Sequence, residues 1–80
     1  MKILKSVEFY RKDFEHPWRV SLLVFPDGDM AVELTGPSMD IDKVRLKALT
    51  CMDFLMMVNI MQRAVHPDKI KRSVERGWET

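Results

Sequence analysis

Apolar and polar residues alternate through the first part of the chain. From Lys2 to Arg11, Ile3, Val7 and Phe9 share one side of an extended backbone, and Leu4, Ser6, Glu8 and Tyr10 share the other. Period-two alternation marks a half-buried strand. Arg11 to Pro17 mixes charge with Phe14 and ends in proline, which predicts an exposed connection. Alternation resumes at Trp18, with Trp18, Val20, Leu22 and Val24 facing one way and Arg19, Ser21, Leu23 and Phe25 the other. Pro26-Asp27-Gly28-Asp29 follows, where proline presets φ and glycine can supply the left-handed residue that closes a hairpin. Met30 to Leu34 reads as a third strand, so residues 1–35 are expected to form a β-meander.

Beyond Gly36-Pro37-Ser38 the period lengthens. Ser38 or Asp40 can cap a helix, with Asp40 and Asp42 complementing its dipole, and the helical pattern extends over residues 39–65 until His66-Pro67 stops it. In its first half Ile41, Val44, Ala48, Cys51, Met52 and Leu55 form one stripe; from Phe54 onward the stripe is Phe54, Met57, Val58, Met61, Ala64 and Val65. At roughly 100° per residue its mean direction turns by more than a quarter of a circle. Two surfaces therefore need covering, and Phe54-Leu55-Met56-Met57-Val58 is apolar all round. A short helix over residues 67–77, with Ile70 and Val74 in line and Trp78 folding back, would cover the second face; a partner chain is the alternative. The fold class expected is α+β: a three-stranded antiparallel β-meander packed on one long α-helix, followed by a short C-terminal helix (β-β-β-α-α), all within a single domain of residues 1–80.

Composition narrows what holds such a fold together. A chain of 80 residues is near the size at which one core needs reinforcement. Cys51 is the only cysteine, which rules out an internal disulfide, and Cys51, His16 and His66 are too few for a structural zinc site of about four ligands. No metal or cofactor is expected, which leaves oligomerisation, a homodimer being one form of it, or good packing alone. The opening Met1-Lys2-Ile3-Leu4-Lys5 has charges too early for a signal peptide or a membrane span, so the expected location is the cytoplasm, with no membrane partner.

The charge balance, 13 basic against 12 acidic residues, argues against a function built on phosphate attraction alone. No phosphate-binding, nucleophile-elbow or zinc-protease motif is present, Cys51 has no base placed by sequence to activate it, and Asp27-Gly28-Asp29 lacks the later ligands of a calcium loop. No catalytic residue is assigned and no enzyme is expected. Two surfaces stand out as binding candidates. Leu4, Tyr10, Leu23 and Phe25 are a surplus of large apolar groups on the sheet face turned from the helix, and Met57 and Met61 lie on the helix's second stripe; together they are the expected protein-binding residues. Arg63, Lys69, Lys71, Arg72 and Arg76 form a basic cluster on the expected C-terminal helix that could hold nucleic acid, although Asp68, Glu75 and Glu79 dilute it. The primary functional expectation is a small non-enzymatic interaction protein that binds and modulates or inhibits another protein or complex, as a homodimer or alone. Size alone suggests an accessory regulator of the kind bacteriophages make. The alternative is a small nucleic-acid-binding regulator using the basic C-terminal helix.

Overall fold

The computed structural model describes residues 1–36 and 43–73 and, in chain order, contains β1 (Lys2–Tyr10), β2 (Trp18–Val24), β3 (Met30–Thr35), β4 (Lys43–Ala48), α1 (Cys51–Val65) and β5 (Lys69–Ser73). The strands form one antiparallel sheet in the order β4-β3-β2-β1-β5. The α+β class and the first three strands are as expected, but the sheet has five strands and the described residues hold one helix. The long helix over 39–65 and the short helix over 67–77 are both corrected. Residues 39–42 and 74–77 of those expected helices, with Ser38 and Trp78, lie outside the described residues.

The corrections have physical causes. Lys43-Val44-Arg45-Leu46-Lys47-Ala48 alternates charge with apolar groups at every step, and Val44 and Ala48, four apart, mimic one line of a helix. Paired to β3, the same residues turn Val44, Leu46 and Ala48 to the side of α1 and Lys43, Arg45 and Lys47 to the opposite face. Lys69–Ser73 is short and polar, but it pairs with β1 from Tyr10↔Lys69 to Ser6↔Ser73 and so occupies an edge that the meander alone would leave open. The apparent change of stripe near Phe54 came from reading β4 as helix. Within α1 the buried positions Phe54, Val58, Met61 and Val65 follow a single line.

That line meets the sheet. Val7, Phe9, Val20, Leu22 and Val32 pack with Ala48 and the four buried residues of α1 into one core, in which Phe9, Val20 and Leu22 are fully enclosed. Trp18 and Phe14 border it with their rings edge to face at 6.4 Å. A register shift between Ile3 and Lys5 puts a bulge in β1. Ile3 pairs with Leu23 on the face away from α1, while Leu4 packs against the core, because one extra residue exchanges the two faces of a strand.

Both ends of α1 are fixed. At the N-terminus Thr50 caps the helix, its Oγ1 accepting from the Met52 N–H at 3.2 Å, while the Asp53 carboxylate accepts from the N–H groups of Leu49 at 2.8 Å and Thr50 at 3.0 Å. This is a capping box with aspartate in the third position. At the C-terminus His66 is left-handed at φ 49°, its N–H donating to the Gln62 carbonyl. The Arg11 guanidinium donates to the Val65 carbonyl at 2.7 Å, and Asp68 N–H to the Tyr10 carbonyl at 2.7 Å, so the helix end is tied to the end of β1.

Candidate functional site

With α1 on one side only, the molecule presents two unlike surfaces. The outer side of α1 is the first. A helix turning away from its core normally shows charge there. Here Met52, Leu55, Met56 and Ile60, at i, i+3, i+4 and i+8, are 61%, 43%, 58% and 55% exposed, and Leu49 just before the cap is 79% exposed. Val44 and Leu46 are half exposed on the α1 side of edge strand β4. Leu55 and Met56, expected to be enclosed, belong to this outer stripe. Cys51, expected on a buried stripe, is exposed at the start of α1.

The expected protein-binding residues are dispersed by the fold. Met61 is buried in the core and Met57 is half-buried against it; Leu4 is drawn to the core by the bulge. Leu23 faces away from α1 but is only 1% exposed, between Ile3 and Ala31 on the neighbouring strands. Tyr10 and Phe25 are half-buried. The residues that expose most apolar surface on α1, Met52, Met56 and Ile60, were assigned no binding role from sequence. The period of α1 counted from Thr50 would have isolated them, since Thr50 and Asp53 spell a helix start.

The face of the sheet turned from α1 is the second surface; its middle is closely packed, with Ser6, Ser21, Leu23, Ala31 and Thr35 no more than 6% exposed, and its exposed cations stand at the edges. Register places Lys71, Glu8, Arg19, Thr35 and Lys43 in one row across all five strands. Glu8 and Arg19, directly opposite, form an ion pair at 3.1 Å, and Glu33 and Arg45 another at 2.7 Å. The Arg45 guanidinium also lies 5.8 Å from the centre of the Phe25 ring. Lys43, Lys47, Lys69 and Lys71 are exposed and make no ion pair among the described residues. Of the expected basic cluster, Lys69 and Lys71 stand on this face in β5, Arg72 lies at the next position of that strand, and Arg63 is exposed on the outer side of α1. Arg76 is outside the described residues.

Among the described residues no group of three or more His, Cys, Asp or Glu side chains could hold a metal ion, and no helix is long and apolar enough to cross a membrane. Two carboxyls among the described residues are held below their ordinary range: the Arg11 hydrogen bond lowers Asp13, and the Thr50 and Leu49 amides lower Asp53. Both belong to turns and caps, which explains them structurally. Comparison with protein-family models, with curated proteins and with solved structures found no match.

Proposed function

We propose that this is a small non-enzymatic interaction protein that acts by binding other macromolecules, and that a second copy of the chain covers the outer face of α1. The observation that carries this reading is the exposed stripe Met52, Leu55, Met56 and Ile60 on a helix whose other side is fully packed. With Leu49 these side chains leave roughly 600 Å² of apolar surface in water per copy, and two copies would bury about 1,200 Å², the lower bound of stable interfaces.

Three features favour a second copy as the cover. Arg63 stands in line with Met52 and Met56, at the C-terminal end of the stripe, and Asp53 stands near its N-terminal end. Two helices packed antiparallel about a two-fold axis would bring each Arg63 towards the partner's Asp53 and oppose the helix dipoles favourably. Extension of the sheet is a poor route to a dimer, because Lys43, Arg45 and Lys47 on β4 would meet their own copies, and Lys69 and Lys71 on β5 likewise. A chain this short also gains from association.

Size-exclusion chromatography with light scattering tests the reading. The native chain is expected to run as a dimer at micromolar concentration, and Met56→Asp as a monomer with unchanged far-ultraviolet circular dichroism. A native monomer at millimolar concentration would overturn the self-association.

A further inference from the structure

We propose that the outer edge of β4 is a docking site for an extended acidic peptide, which joins the sheet as a further strand. β4 ends the strand order, and Lys43, Val44, Arg45, Leu46 and Lys47 are all exposed. In an antiparallel sheet successive residues direct their N–H and C=O groups alternately toward and away from the neighbouring strand. Every second residue of β4 therefore offers both groups to a strand laid outside it. Main-chain bonds of this kind supply affinity, and the alternating side chains supply selectivity.

The side chains of β4 specify the occupant. Val44, Leu46 and Ala48 lie on the side of α1, yet Val44 and Leu46 are 50% and 49% exposed, so α1 leaves this rim of the sheet uncovered. Lys43, Arg45 and Lys47 lie on the other side. A strand laid along β4 sets its own alternate residues directly across from these, with Cβ atoms about 5 Å apart. Apolar side chains then cover Val44 and Leu46, and carboxylates meet the cations. Glu33, which holds Arg45, is on β3, and Asp27 and Asp29, which border a depression shared with Lys47, are in the turn between β2 and β3. Both β2 and β3 are inward of β4, whereas an added strand lies about 5 Å beyond it. The three cations are its direct neighbours. Asp40 and Asp42 precede β4 and lie outside the described residues; pairing from Lys43 to Lys47 sets neither across from the new strand.

Lysine on an edge strand also keeps a sheet from pairing with its own copies. Protection alone is best served by proline or by a charge turned to the apolar side, and β4 has neither, because its α1 side carries Val44, Leu46 and Ala48. The edge repels a strand of like charge and accepts one of opposite charge. Repulsion and attraction together select the partner.

Fluorescence anisotropy with a labelled peptide of about seven residues, glutamate alternating with valine, tests the site. Three probes of similar length accompany it: lysine alternating with valine, the glutamate–valine peptide methylated on its backbone amides, and a single-stranded oligonucleotide. The native chain is expected to bind the glutamate–valine peptide about tenfold more tightly than any of these. Lys43→Glu with Lys47→Glu, both at exposed positions, should reverse the preference between the glutamate and lysine peptides with unchanged far-ultraviolet circular dichroism. Amide hydrogen exchange on the native chain gives a second readout: the peptide should slow exchange at every second residue of β4 and leave β5 unchanged. No binding at millimolar peptide, equal binding of the methylated or lysine peptide, or tighter binding of the oligonucleotide would overturn the proposal. So would an unreversed preference in a folded double variant, or protection at β5 in place of β4. Because Met56→Asp leaves β4 intact, failure of dimerisation and failure of peptide docking are read separately.

Discussion

Thr50 and Asp53 decide where the chain stops being sheet and starts being helix. Their reciprocal hydrogen bonds satisfy amides that the first turn of α1 leaves open. Thr50→Ala should lower unfolding free energy by about 1 kcal/mol in urea titration. Asp53 adds a pH dependence. Amides hold its folded carboxyl below the ordinary range, so its contribution is complete above the unfolded pKa of about 3.9 and is lost as pH falls through the lower folded value. Asp53→Asn should therefore be less stable than the native chain at neutral pH, with the gap closing below about pH 4, as followed by the urea midpoint. His66 sits at the other end in a left-handed conformation that glycine adopts without a Cβ penalty. His66→Gly should raise stability by about 0.5–1 kcal/mol.

At the scale of elements, α1 divides its methionines between two environments. Met61 is buried against the sheet, and Met56 is in water. Met61→Ala should cost about 2–5 kcal/mol, whereas Met56→Ala should change the monomer's stability by no more than about 0.5 kcal/mol; chemical denaturation at a concentration that keeps the protein monomeric separates them. The same division shows what was legible in the sequence. β1, β2 and β3 were readable because their alternation puts a large apolar residue at nearly every second position. β4 was not, since Val44 and Ala48 also fit a helix and its three cations resemble a solvated helical face. β5 carries one large apolar residue, Ile70, so its pairing with β1 is a tertiary demand with little local signal. The bulge at Leu4 moved one expected surface residue to the core, and the enclosed Leu23 removed another. Of the expected apolar sheet cluster, Tyr10 and Phe25 stay partly exposed. The basic character of Lys69 and Lys71 was visible from the start, but the row that joins Lys71 to Lys43 needed the strand order.

For the whole molecule, the controlling feature is that α1 packs on one face of the sheet, while the other face is closely packed at Ser6, Ser21 and Leu23 and carries its exposed cations at the edges. The apolar outer face of the helix and the basic face of the sheet therefore point in opposite directions, with the core between them. If two copies join back to back through α1, the two sheets face outward on opposite sides. Such a particle is bivalent: whatever one sheet contacts, the second sheet meets again at a local concentration set by the length of chain between the two contacts. A ligand with a single site would gain nothing from the second sheet, whereas a repeating one would be held far more firmly than either contact alone allows.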